Sequence, residues 1–197
     1  MTDERGEDAR AAELRHRTAN TFQLISALAR MRGQRTGEPE ARRQLLWIAE
    51  AIGSLGALER HRCEGGVDFH AYLHDMAAIW RRRQGGQPAE IAILAAPMVA
   101  PDQVASTLAL IAHELVANAV AHACGGRGGR IEVRLADLGD GRREFSVIDD
   151  GPGFDPSAPG GRERFGLWFV RSLAMQVRGE LELLAGQGVQ ARLVFPV

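Results

Sequence analysis

The sequence contains no lysine; its 24 strongly basic side chains are all arginines. Codon bias in a GC-rich genome accounts for that, and no site in the chain can depend on a lysine amine. The net charge is only -1, so no broad basic field exists to attract nucleic acid. The two cysteines, Cys63 and Cys124, lie far apart and in neither metal-ligand nor redox spacing, which suits packing thiols in a reducing cytoplasm. The longest apolar run, IAILAAPMVA, is about half of the ~20 residues that a membrane helix needs, and Pro97 interrupts it, so no membrane span is expected. The start, MTDERGEDAR, is acidic and polar where a secretory signal needs a basic tip and an apolar stretch. There is no internal repeat and no low-complexity tract. What remains is the composition of an ordinary soluble protein, 45% hydrophobic and 25% charged over 197 residues, enough for one sizeable core and a smaller element.

Two textures divide the chain near CEGGVDF. Before it, a helical pattern over roughly residues 8 to 33 stops at Gly33, and the breaker-rich GQRTGEPE leads into a second helix whose first turn suits Pro39. Apolar residues for a helix partner recur at Leu14, Thr18, Thr21, Ile25 and Leu28, then at Leu45, Ile48, Ala49, Ile52, Leu55 and Leu58. The two helices form an antiparallel hairpin with too little core to stand alone, so the stripe predicts pairing with a second copy into a four-helix bundle. After the boundary come a helix near 68 to 82, a strand in AEIAILAAP, and a long helix from about 102 to 123. RIEVRL and REFSVID form a hairpin around GDG, GLWFVRSLAMQVRG a helix closed by Gly179, and ELELLAGQGVQARLVFP a second hairpin around GQG. The mixture lacks a regular βαβ alternation and predicts an α+β fold, with helices on one face of a largely antiparallel sheet.

Chemistry-bearing residues fall into four groups. In AELRHRTANTFQLI, residues Glu13, His16, Asn20 and Gln23 stack into one polar column on the first helix. Taken alone, that column reads as a solvated face. In HELVANAVAHA, residues Glu114, Asn118 and His122 form a second column beside the apolar Leu108, Ile111 and Leu115. A carboxylate and an amide oxygen on one helix face suit a hard cation such as Mg²⁺ together with phosphate oxygens. A zinc protease motif would need a histidine at position 117, which is alanine. In DDGPGF, Gly151 and Gly153 permit a tight turn and close approach of a flat or anionic group, while Asp149 offers an acceptor. In RFGLWFV, Gly166 opens a helix whose first amides suit a phosphate, although a helix start without ligand reads the same way.

The order HELVANAVAHA, DDGPGF, a short loop, FGLWFV and the GQGVQARLVFP hairpin resembles the Bergerat-type ATP-binding domain of histidine kinases, gyrase and related ATPases. HRTAN followed by FQLISAL resembles the phospho-acceptor box of two-component sensor histidine kinases, in the subgroup reading His-Arg-x-x-Asn with a glutamate three residues earlier. Together the two resemblances cover nearly the whole chain and reverse the bland reading of His16. They imply residues 1–66 as a dimerising phospho-acceptor hairpin and 67–197 as a catalytic ATP-binding domain. His16 is then the phosphorylated residue, attacking the γ-phosphate of ATP through a neutral ring nitrogen. Asn118 matches the Mg²⁺-binding asparagine, with Glu114 beside it to orient metal or water. Asp149 matches the acceptor for the adenine amino group, with Gly151 and Gly153 shaping that pocket, His122 lining the same helix face and Gly166 ending the lid near the phosphates. Asn20 matches the position that, in related kinases, helps water remove phosphate from the partner regulator. Glu13 is the candidate proton acceptor for His16, one turn away on the same face.

The chain also departs from that family. Ala121 stands where the family often has a lysine beside the phosphates, Arg164 where it has glycine or serine, and Thr18 and Ala19 where the box more usually has valine and lysine. Arg162 or Arg164, in the short lid DPSAPGGRER, is a candidate source of the missing charge. The expected function is a cytoplasmic, ATP-dependent histidine kinase that serves a response-regulator receiver domain and takes its input from a separate sensor. Two alternatives are a histidine phosphotransferase with a weak nucleotide site and an anti-sigma-type serine kinase or binding module; the acceptor hairpin argues against the latter.

Overall fold

The computed structural model describes residues 2–82, 89–123, 129–153 and 163–197. They form two compact units, Met1–Arg62 and Cys63–Val197. The first is a helical hairpin of α1 (Thr2–Arg35) and α2 (Pro39–Leu58), closed by a 3-10 turn at Glu59–His61. Proline at the first position of α2 sacrifices no hydrogen bond, because that N–H has no partner inside a helix.

On α1 the seam with α2 runs along a different face from the predicted apolar stripe, whereas on α2 the stripe residues Leu45 and Ala49 lie in it. Ser26 is buried and its hydroxyl donates to the Ala49 carbonyl at 2.7 Å. A Cβ at Gly33 would stand 3.3 Å from that of Leu45, and one at Gly56 would stand 3.2 Å from that of Phe22. Small side chains let the two backbones close together, so Gly33 serves close approach and α1 continues past it to Arg35. Leu14, Ile25 and Leu28 of the predicted stripe are 59%, 43% and 55% exposed and point away from α2. On α2, Ala49 and Leu58 are buried, whereas Ile48 is exposed.

The second unit layers three helices on a mixed sheet. Its elements are β1 (Arg62–Cys63), β2 (Gly66–Asp68), α3 (Phe69–Arg82), β3 (Glu90–Ala95), β4 (Val99–Ala100) and α4 (Asp102–Ala123). They are followed by β5 (Arg130–Asp137), β6 (Arg142–Asp149), α5 (Glu163–Gln176), β7 (Glu180–Gly186) and β8 (Gly188–Pro196). The main sheet runs β3-β5-β6-β8-β7, and only the β3–β5 pair is parallel. A small second sheet, β1-β2-β4, was not legible in the sequence because its strands are two or three residues long. Ile131, Val133 and Leu135 alternate inward on β5, and Ala191, Leu193 and Phe195 do so on β8. On the outer face Arg192 pairs with Glu144 at 2.7 Å and with Glu182 at 3.1 Å across three strands.

Helix α3 starts where Asp68 caps it, its Oδ1 accepting from the Ala71 amide at 2.9 Å. Phe69, Tyr72, Leu73, Met76, Ala77 and Trp80 recur at helical spacing and are all buried, the larger ones contributing about 1.5–3 kcal/mol each. Helix α4 is the central element, with Leu108, Ile111 and Leu115 in the core and contacts to β5, β6, β8 and α5. It is also the one helix among the described residues long and apolar enough to cross a membrane, and most of it is buried in this core. Helix α5 ends at Gln176; Arg178, two residues on, takes the left-handed region (φ 52), and the Gly179 amide donates back to Ala174 at 2.9 Å. Gly179 meets a need for space, since a Cβ there would stand 2.6 Å from Leu193 Cδ1.

Candidate functional site

In the helical unit, Glu13, His16, Asn20 and Gln23 are all exposed on α1, as the column predicts. The side chains of His16 and Asn20 meet across one turn, with Asn20 Nδ2 3.1 Å from His16 Nδ1. Nδ1 of the imidazole is therefore engaged. Arg15 and Arg17 flank the histidine and are exposed too.

In the second unit the first cluster joins α4 to α5. Glu114 is 6% exposed, and its Oε1 accepts from Asn118 Nδ2 at 3.1 Å. With its N–H committed to the carboxylate, the Asn118 amide turns its carbonyl oxygen elsewhere, the orientation a hard-cation ligand needs. Gly166 is buried against this pair: a Cβ there would overlap Glu114 Oε1 and stand 3.5 Å from Asn118 Nδ2. The helix opens at Glu163, three residues before the expected start, so Gly166 lies in its first turn as the point where α5 touches α4. His122 shares the helical register of Glu114 and Asn118, but its side chain lies outside the described residues, as do those of Arg162 and Arg164 and the lid segment before α5. Ala121, near the C-terminal end of α4, is exposed.

The second cluster lies at the end of β6. Asp149 Oδ1 accepts from the Gly151 amide at 3.0 Å and from the Val189 amide at 3.3 Å. The loop after it is anchored again by Asp150, whose Oδ1 accepts from the Arg130 amide at 2.8 Å. Gly153 has φ 74, and a Cβ there would stand 2.6 Å from the Gly186 carbonyl oxygen. Gly188, at φ 93, lies so close that a Cβ would overlap the Asp149 carbonyl oxygen and stand 2.9 Å from its carbon. The turn between β7 and β8 thus backs the DDGPG loop directly. Sequence reading identified GQG only as a hairpin turn; its glycines and the Val189 amide belong to the Asp149 environment through contacts 40 residues apart. Doubled glycine was the available signal.

At the β5–β6 turn, the hydrogen bond and charge of Arg142 hold the Asp140 carboxyl below its ordinary range. Among the described residues no group of three or more histidine, cysteine, aspartate or glutamate side chains gathers to hold a metal.

A helical pair precedes three helices on a mixed five-stranded sheet. Residues 80–195 match the family described as the histidine kinase-like ATPase domain, and the chain belongs to it. Among solved structures, the chain is similar to the blue-light activated histidine kinase EL346 of Erythrobacter litoralis, with TM-score 0.72 and 22% identity over 96% of this chain and 59% of that one. It is also similar to the histidine kinase domain of that protein (TM-score 0.69, 20% identity, 95% of this chain and 94% of that one). A mycobacterial sensor histidine kinase, MprB, gives TM-score 0.51 and 24% identity over 66% of this chain and 95% of that one. These likenesses concern the fold, and the chain spans 59% of the length of the first. Curated proteins give no match.

Proposed function

We propose that this protein is an ATP-dependent protein-histidine kinase that phosphorylates its own His16 and passes the phosphoryl group to an aspartate on a response-regulator receiver domain. The observation that carries the reading is the exposed His16–Asn20 contact on a helical hairpin, in a chain whose remainder is a histidine kinase-like ATPase domain. In the observed contact the Asn20 Nδ2–H donates to Nδ1; attack uses the other tautomer, with the proton on Nδ1 facing Asn20 Oδ1 after a half-turn of the amide and the lone pair on Nε2, open to the γ-phosphate. That lone pair forms the N–P bond as the bond from phosphorus to the bridging oxygen breaks and ADP leaves. The ring sheds one proton, for which Glu13 on the same face is the candidate acceptor.

Asp149 receives the adenine amino group on Oδ2, since Oδ1 is already held by two backbone amides. Gly151 and Gly153 shape the loop beside it. Asn118 and Glu114 supply an amide carbonyl and a carboxylate, a donor set that fits Mg²⁺, and His122 shares their helical register. Bound Mg²⁺ supplies positive charge against the phosphate oxygens. Gly166 brings the first turn of α5 to the same end, where its amides favour a phosphate.

The outward stripe of Leu14, Ile25 and Leu28, joined by Leu24, Met31 and Ile48, is exposed in the single chain and supports homodimerisation through the hairpin. The location is assigned to the cytoplasm, where Cys63 stays a free thiol. Incubation with γ-labelled ATP and Mg²⁺ tests the reading: label that is acid-labile and base-stable, and lost in His16→Gln, is expected. Label surviving that substitution overturns it. One observation favours a second reading, a phosphotransferase with a weak nucleotide site: exposed Ala121 offers no charge where related kinases often carry lysine. Phosphate transfer from a receiver to His16 without labelling from ATP would select that reading.

A further inference from the structure

We propose that Asn20 is a positioning residue for His16. It anchors the imidazole through Nδ1 so that Nε2 takes the phosphoryl group, and, being uncharged, it does so without holding an extra proton on the phosphorylated ring. The inference deepens the kinase reading and rests on it for the chemistry of His16. Both side chains are exposed and lie four residues apart on α1, with Asn20 Nδ2 3.1 Å from His16 Nδ1. An exposed imidazole without such a partner rotates freely and presents either nitrogen to a phosphoryl donor.

An amide suits this role because it has two faces. Its Nδ2–H donates to an unprotonated Nδ1, and after a half-turn its Oδ1 accepts from Nδ1–H. The anchor therefore survives the proton movements of the reaction. For attack the amide has made that half-turn: Nδ1 carries the proton and donates it to Asn20 Oδ1, and Nε2 has the lone pair. When the Nε2–P bond has formed, the Nδ1 proton leaves for solvent or the Glu13 carboxylate, and the neutral phosphorylated ring remains anchored. In hydrolysis, water adds its oxygen to phosphorus, gives its proton to solvent, and the electron pair of the broken Nε2–P bond returns to the ring. A proton on Nδ1 makes the ring a better leaving group. An aspartate at position 20 would hold that proton through a charge-assisted bond and shorten the life of the phosphohistidine. Asparagine gives the geometry without the charge.

Phosphoramidate tests this on the full chain without nucleotide. Its P–N bond breaks, ammonia leaves, and the ring proton displaced by the new bond goes to solvent. The product at His16, assigned by its loss in His16→Gln, is read by phosphorus and nitrogen NMR. Wild-type protein is expected to carry the phosphoryl group predominantly on Nε2. Asn20→Ala should raise the ratio of Nδ1 to Nε2 product by about two- to ten-fold, the effect of one neutral hydrogen bond. Asn20→Asp should keep Nε2 as the site, show Nδ1 protonated in its nitrogen shift, and shorten the phosphohistidine half-life by about two- to ten-fold. Loss of helical content does not mimic either change, and circular dichroism reports it separately. An unchanged isomer ratio in Asn20→Ala overturns the anchoring role, and an unchanged half-life in Asn20→Asp overturns the argument from charge. If these shifts occur while wild-type protein takes no label from ATP, the kinase reading falls and the positioning role stands.

Discussion

Gly166→Ala adds a single methyl group at the point where α5 meets α4. The new Cβ would overlap Glu114 Oε1 and lie 3.0 Å from its Cδ, so the carboxylate must swing aside. Glu114 is 6% exposed, and the movement breaks its 3.1 Å hydrogen bond from Asn118. A hydrogen bond to a charged group contributes about 1.5–3 kcal/mol, while alanine in place of glycine returns about 0.5–1 kcal/mol to the helix. The net loss of stability is then only about 0.5–2.5 kcal/mol, and the domain stays folded. Losing the partner that orients Asn118 should weaken metal-dependent nucleotide binding about 10–100-fold. Calorimetric titration with ADP, in Mg²⁺ and again in a chelator, separates the two effects: affinity should fall in Mg²⁺ and change little without it. In a Glu114→Ala background, where nothing remains to be displaced, Gly166→Ala should add almost nothing. Wild-type affinity in Mg²⁺ for the single variant, or strict additivity in the double one, would refute the coupling of Gly166 to the metal end.

Asp149→Asn keeps an acceptor for the Gly151 and Val189 amides but turns the other carboxylate oxygen into a donor. ATP affinity measured by calorimetry should drop about 5–100-fold, with preference for ATP over GTP lost. Gly188→Ala sets a Cβ on the Asp149 carbonyl and should lower the melting temperature far more than Gly139→Ala. At Gly139, also left-handed, nothing lies within 4 Å and only about 1–2 kcal/mol of backbone strain applies. Leu28→Glu, at a position 55% exposed in the single chain, should leave the helical signal intact and shift sedimentation from dimer to monomer. Wild-type protein that sediments as a monomer at high concentration defeats that prediction. Ala121→Lys should tighten ATP binding about ten-fold; no change would mean that this end of α4 does not face the phosphates.

The elements with strong periodicity were legible. The long helix was expected from about 102 to 123 and spans Asp102–Ala123, and both hairpins fall where their turn residues put them. Those signals are local, because each element's own pattern of burial writes them. The hairpin seam was not legible in the same way. Its inner face includes Ser26, Gly33, Gly53 and Gly56, whose smallness permits contact without looking apolar, while the α1 leucines that drew attention, Leu14 and Leu28, are exposed. The polar columns on α1 and α4 followed from helical spacing, but the identity of the hydrogen-bonded pairs within them did not. The backing of the Asp149 loop by the β7–β8 turn was hidden for another reason: register across paired strands joins residues that no local pattern relates.

Because the two helices of the hairpin meet through small side chains, the unit carries little of its stability on the faces it shows to others. Substitutions on those faces remove few intrachain contacts, so the identity of whatever docks beside His16, or along the leucine stripe, is open to change with modest loss of foldedness. A lineage that duplicated this gene would be able to separate two signalling channels by altering surface residues of α1 alone, with the inner seam held constant. Swapping the exposed positions of α1 between two such copies is the corresponding engineering route to exchange their partners.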